Sequence, residues 1–257
     1  MDGRPCYIAY SVSGGTLYLV DDAGDAGGPF AGSMQLNGSG SVSNGQCTIT
    51  AAGSSVVSSG NTLTLTLNIA FKAVFGGNKV VYTATRDTGS GNSGWQALGT
   101  WPGTVNYAGP GVVGVLPARS SGSSGLYTVT FSDTNGWQDL KVVNLLINTA
   151  INGVGACYVA YVPSGATTGS LFLVDDAGDA GGPYQGLTLP GSGMIQNSQC
   201  AISAAGSSAS AGGDAVALTL AITFKSAFAG NQVIYAAARS NAQNSGWQAV
   251  GTVGVGN

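Results

Sequence analysis

The sequence predicts an all-β chain built as tandem two-sheet sandwiches, with the first copy lacking its leading strands. Three observations carry that prediction. Short alternating or β-branched runs recur along the chain, separated by clusters of Gly, Ser, Asn and Asp. The segment Val20-Asp-Asp-Ala-Gly-Asp-Ala-Gly-Gly-Pro29 returns unchanged as Val174–Pro183. Four Cys residues fall two to a copy at matching places.

The strand signals are clearest at 16–20, 62–67, 79–83 and 232–236, where apolar and small polar residues alternate or β-branched residues cluster. With 43 Gly and abundant Ser, no segment reads as a helix. The hydrophobic share of 44% falls in regular runs, which separates the chain from disordered sequences. Many short strands with frequent turns point to a sandwich of immunoglobulin-like type.

Charge and composition exclude several functions. Only 7% of residues are charged and the net charge is −3. Eight scattered Lys and Arg cannot build the basic face that nucleic acid requires. No apolar window of about 18 residues is present to form a membrane-spanning helix. His and Glu are both absent from the sequence, which removes Ser-His-Asp and Cys-His catalysis and every His-ligated metal. Acid–base chemistry would fall to Asp, Lys, Tyr or Cys. A bound metal would be a hard cation held by oxygen, with Ca2+ the expected cofactor and no organic one.

Self-comparison sets the organisation. Cys6-Tyr-Ile-Ala-Tyr10 returns at 157–161, Asn44-Gly-Gln-Cys47 at 197–200, and Asn92-Ser-Gly-Trp-Gln-Ala97 at 244–249, at offsets of 151 to 154 residues. The expected division is a truncated first repeat at 1–101, a linker at 102–110 and a complete second repeat at 111–257. The second copy begins with strand-like runs at 126–133 and 140–148 that have no counterpart before Cys6. Met1-Asp-Gly-Arg-Pro5 leads into the first strand without a signal-like segment, so the chain reads as a piece of a longer repeat protein. A sandwich without its first strands exposes open edges and a bare core face. A homodimer or strand-swapped assembly through the incomplete repeat is therefore expected.

Four Cys allow three pairings. The repeat favours Cys6 with Cys47 and Cys157 with Cys200, because one geometry is then used twice; four buried thiols are the alternative. Each bridge would close a loop of about 40 residues, worth about 3–4 kcal/mol by chain entropy. Such bridges suit a secreted or cell-surface protein.

Phe131-Ser-Asp133, Asn135-Gly136, Asp139-Leu140, Leu146-Ile-Asn148, Ala156-Cys-Tyr158, Leu171–Gly178, Asn197-Ser-Gln-Cys200 and Asn244-Ser-Gly-Trp247 together resemble a repeat module of large, mostly uncharacterised bacterial secreted or surface proteins. The resemblance covers the whole second copy and the latter two-thirds of a first. It implies an extracellular β-sandwich and no particular activity. Family members often read Asn-Asp-Ala-Gly-Thr where both copies here read Asp-Asp-Ala-Gly-Asp.

That loop concentrates six of the eleven acidic residues. The simpler reading is a tight turn capped by Asp and opened by Gly. Here Asp22-Ala-Gly24 and Asp176-Ala-Gly178 form the turn itself, and Asp21, Asp25, Asp175 and Asp179 are surplus charge. The sharper reading is a Ca2+ site formed by Asp21, Asp22 and Asp25, and again by Asp175, Asp176 and Asp179, since gathered carboxylates repel unless neutralised. A third reading is catalysis by Asp22 and Asp176, with Lys72 and Lys225 beside them, in a metal-dependent hydrolase of an ester, phosphoester or glycoside. Lys72 and Lys225 are expected to pair with a loop Asp or to sit in solvent. Trp95 and Trp247 either close a core or offer a carbohydrate-stacking platform, while Trp101 and Trp137 are expected to pack. The functional expectation is an extracellular structural or adhesive binding module. Hydrolase and carbohydrate-binding module are the alternatives, and a glycan or cell-surface ligand is the expected partner.

Overall fold

The computed structural model describes residues 4–25, 27–36, 38–103, 108–179 and 181–256. Strand makes up 59% of the described residues, and no α-helix occurs among them. The strands gather into two compact units, Met1–Gly76 and Gly77–Asn257.

The first unit holds β1 (Ile8–Ser11), β2 (Thr16–Val20), β3 (Phe30–Gln35), β4 (Ser41–Ser43), β5 (Cys47–Ser59) and β6 (Thr62–Phe71). They form two antiparallel sheets, β1-β2-β3 and β4-β5-β6. Strand alternation turns one side chain in two inward. Leu17 and Leu19 of β2 thereby meet Val42 of β4 and Ile49 of β5 in one core. Ile8 and Tyr10 of β1, and Leu65, Leu67 and Ile69 of β6, lie at its margin and are only partly buried.

The second unit opens with a hairpin, β7 (Lys79–Thr83) and β8 (Gln96–Trp101). It continues through β9 (Pro110–Leu116), β10 (Arg119–Ser121), β11 (Ser124–Asp133), β12 (Val142–Asn148), β13 (Cys157–Pro163) and β14 (Gly169–Val174). The remaining strands are β15 (Tyr184–Leu189), β16 (Met194–Gln196), β17 (Cys200–Gly212), β18 (Ala215–Phe224), β19 (Gly230–Arg239) and β20 (Gln248–Val255). Apart from the hairpin, they make a seven-stranded sheet, β10-β20-β19-β12-β13-β14-β15, and a five-stranded sheet, β16-β17-β18-β11-β9. The two sheets share one core, in which Val129, Phe131 and Leu220 of the smaller sheet join Leu145, Val159 and Leu171 of the larger. The period of two is plain on β18, where Val216, Leu218, Leu220, Ile222 and Phe224 are buried and most intervening residues are half-buried.

The run Leu145-Leu146-Ile147 is buried throughout. Leu145 and Ile147 face the sandwich core, whereas Leu146 joins Val80, Ala97, Val233 and Tyr235 in a second apolar cluster. A strand covered on both faces loses its alternation and reads as continuous apolar sequence. The added cover is the β7–β8 hairpin, which by sequence is the tail of the first copy. The spatial boundary therefore lies at Gly76–Gly77, well before the sequence join at 102–110. Within that join, 104–107 lie outside the described residues, and Pro110 already belongs to β9.

The extra leading segment of the second copy occupies both sheets. β11 pairs with β18 from Ser124 to Ser132. β12 lies between β19 and β13. In the first copy, the equivalents of β13 and β19 are β1 and β7, which belong to separate sheets and separate units. Among the described residues, β1 has β2 as its strand neighbour and β6 has β5.

Equivalent tyrosines of the two copies meet where the hairpin covers the sheet. Burial, the neighbouring Tyr82 phenol and a hydrogen bond to it push the Tyr235 hydroxyl up to about 12 from 10.0. A raised folded-state pKa means that stability from the neutral phenol is complete below pH 10 and is lost as pH rises towards 12. Replacing Tyr235 with Phe should flatten that fall in urea titrations between pH 10 and 12. The same replacement should cost about 1 kcal/mol at neutral pH through loss of the phenol–phenol hydrogen bond.

Candidate functional site

The duplicated acidic loop follows a buried Val at the end of β2, and of β14 in the second copy. It consists of two consecutive turns, each headed by Asp. In the first copy, the Asp21 carboxylate accepts the Ala23 N–H at 3.0 Å, and the Asp21 carbonyl accepts the Gly24 N–H at 3.1 Å. The Asp25 carbonyl accepts the Gly28 N–H at 3.0 Å. In the second copy, Asp175 accepts the Ala177 N–H at 3.1 Å and Asp179 the Gly181 N–H at 2.8 Å. Asp at the first position and Gly at the fourth is the usual residue choice for such turns. Gly178 has a further reason to lack a side chain: φ is +73°, and a Cβ there would stand 2.1 Å from the carbonyl carbon of Gly153.

The second Asp of each loop has a different task. Both Asp22 oxygens accept the Gly45 N–H, at 2.9 and 3.1 Å. Asp176 accepts the Ser198 N–H at 3.0 Å and the Ser198 hydroxyl at 2.5 Å. The division of labour thus reverses the sequence reading. Asp21, Asp25, Asp175 and Asp179 head the turns, and Asp22 and Asp176 reach across to the loop before the second Cys. The reversal arises because an Asp side chain satisfies amides two residues ahead of it, which leaves the middle carboxylate pointing out of the turn.

The receiving loop, Asn44–Cys47 or Asn197–Cys200, is fastened by its Asn. Asn44 donates to the Val20 carbonyl at 3.0 Å and accepts the N–H groups of Gln46 and Cys47 at 2.9 and 3.0 Å. Asn197 donates to the Ala156 and Val174 carbonyls at 2.8 and 3.1 Å and accepts from Gln199 and Cys200 at 3.0 and 2.9 Å. The Cys then bridges to Cys6, just before β1, or to Cys157, the first residue of β13: Cys6 with Cys47, 41 residues apart, and Cys157 with Cys200, 43 apart. Asp, Asn and disulfide together tie the acidic loop, the Asn loop and the start of β1 or β13 into one clamp, built twice. The role of Asn44 and Asn197 was missed in the sequence, although the repeated Asn-x-Gln-Cys carried the signal.

The lysines do not join the carboxylates. Lys72 donates to the Asn44 carbonyl in the Asn loop, and Lys225 donates at 2.7 Å to Oε1 of Gln196, the last residue of β16. No group of three or more Asp or Cys residues able to share a metal ion is gathered among the described residues. In the second copy, an open depression lies beside the clamp, lined by polar Asp175, Asp176 and Gln196 together with apolar Leu173, Val174 and Pro183.

The repeated tryptophans differ in setting. Trp247 meets Tyr158 edge-on at 5.7 Å and packs on the second apolar cluster. Trp95 is 57% exposed. Trp137 packs at the margin of the sandwich core. Trp101, expected to pack, is 51% exposed because it ends β8 at the rim of the hairpin.

No protein-family model, curated protein or solved structure matches the chain.

The clamp makes a graded prediction for chemical denaturation. Asn197→Ala strips the shared acceptor from two partly buried amides and should cost about 2 kcal/mol. Asp176→Asn keeps the shape but loses charge-assisted acceptance and should cost about 1 kcal/mol.

Proposed function

We propose that the protein is an extracellular structural and adhesive repeat module of the kind carried by large bacterial surface proteins, with immunoglobulin-like sandwiches as its units. The clamp is the observation that carries this reading. The repeated carboxylates of Asp22 and Asp176 are engaged by loop amides, and the same arrangement recurs in both copies. Repetition of a fastening supports a role in which the body of the module is the product: a rigid, disulfide-pinned spacer. The Ca2+ reading and the hydrolase reading both draw on these same carboxylates, which already serve as acceptors for backbone and hydroxyl donors.

The adhesive part of the reading draws on Trp95, an aromatic surface next to the Ser-Gly turn of the first hairpin. A glycan is the ligand class such a face suits, because indole stacks on the apolar face of a sugar ring.

Four measurements test the readings. With EDTA or with millimolar Ca2+, the melting temperature should stay within about 1 °C; a fall in EDTA would instead mean a cation held at the Asp loops. A reductant should lower the melting temperature steeply, since each bridge closes a loop worth about 3–4 kcal/mol. On a glycan array, binding by the native chain that disappears with Trp95→Ala and survives Trp247→Ala would establish the adhesive face. A hydrolytic activity abolished by Asp22→Asn together with Asp176→Asn would overturn the structural reading.

A further inference from the structure

We propose that the first unit is a strand acceptor: the open edges of β1 and β6 take a β-segment with the residue pattern of Ser124–Asn148, donated by another repeat of the same kind. The molecule contains its own control. Leu65, Leu67 and Ile69 on β6 are the same residue types as Leu218, Leu220 and Ile222 on β18, 153 positions later. The β6 residues are partly exposed, whereas their β18 counterparts are at most 1% exposed. Tyr10 on β1 is partly exposed; Tyr161 on β13 is 1% exposed. Identical side chains differ in burial because their neighbours differ.

The missing neighbours can be named from the second copy. There one continuous segment crosses between the layers, placing Tyr127, Val129 and Phe131 of β11 beside β18 in one sheet, and Leu145 and Ile147 of β12 beside β13 in the other. Transferred to the first unit, the β11 register sets Thr128 opposite Thr66 and Phe131 opposite Leu63, while the β12 register sets Leu145 opposite Ile8. Thr128 and Thr219 share a hydroxyl–hydroxyl hydrogen bond of 2.9 Å across β11 and β18. Thr66 offers the same hydroxyl on β6.

The edge is built to pair. From Thr62 to Ala70, β6 carries no charge and no Pro, the devices that usually protect an exposed edge strand. Main-chain pairing along such an edge supplies affinity, and the alternate apolar side chains supply register. The chain's own 124–148 segment is already engaged in its second unit. A second copy donating that segment would open its own sandwich and gain nothing overall. The occupant is therefore a segment of that pattern other than this chain's own 124–148.

The test uses the full chain and a synthetic peptide of residues 124–148. Binding should slow amide exchange at Leu63–Ile69 by about tenfold or more. A peptide carrying Thr128→Cys should form a disulfide with a Thr66→Cys chain and not with a Ser58→Cys chain, because Ser58 lies on β5, away from the edge. A peptide with Val129→Asp should do neither. Should the free peptide aggregate, the same segment joined by a flexible Gly-Ser linker to the N-terminus of the full chain gives the same exchange readout. Unchanged exchange in that fusion, or cross-linking equal at positions 58 and 66, would overturn the proposal. So would Thr66→Cys chains that join each other at that position without peptide, since the edge would then be a self-pairing surface.

Discussion

The hydrogen-bonded seat of β12 between β19 and β13 is the constraint on which the larger unit depends. A strand in that place joins the two halves of a sheet into one, and its partner β11 completes the opposite sheet within the same connected segment. Where the segment is present, seven strands run continuously and their inward residues close over a single core. Where it is absent, the equivalent strands sort into separate sheets, and the hairpin that should have extended the first sheet lies in the other compact unit. The division of this chain is thus a consequence of strand pairing rather than of linker composition.

The acidic loop belongs to the same logic on a smaller scale. A sandwich needs its strand ends fastened, and polar loops with few charges have few strong ways to do so. Asp side chains supply the acceptors, Asn supplies both donor and acceptor, and the disulfide fixes the far end. Asp22 or Asp176 and Asn44 or Asn197 meet backbone atoms at hydrogen-bond distance in both copies, despite Gly45 in one and Ser198 in the other. The Ser198 hydroxyl adds a bond to Asp176 that Gly45 cannot offer Asp22, and Asn197 donates to a second carbonyl, that of Ala156.

The all-β class, the strand positions and the within-copy pairing of Cys6–Cys47 and Cys157–Cys200 were legible in the sequence, because alternation and repetition are local signals. The spatial boundary was not. Repeats advertise their joins through composition, whereas the attachment of β7–β8 depends on contacts of Val80 and Ala97 with residues such as Leu146 and Tyr235, far along the chain. Leu145-Leu146-Ile147 held a hint, since three consecutive buried residues imply cover on both faces, but nothing in the run says what supplies it. The loop shows the same limit. Six carboxylates invite a cation when counted; that five of them accept backbone amides is visible only once each amide is placed.

The hairpin covering Leu146 and Tyr235 bears on how this protein can be dissected. A boundary drawn through the Gly-Pro-rich join at 102–110 would separate two repeats by ancestry, yet it would strip an apolar surface from the second and leave the detached hairpin with no sheet beneath it. A cut between Gly76 and Gly77 follows the packing instead. Inheritance and mechanical integrity run on different frames here, so a gene rearrangement that shuffled whole repeats would cut through a folded body, and one that shuffled folded bodies would carry away part of the preceding repeat.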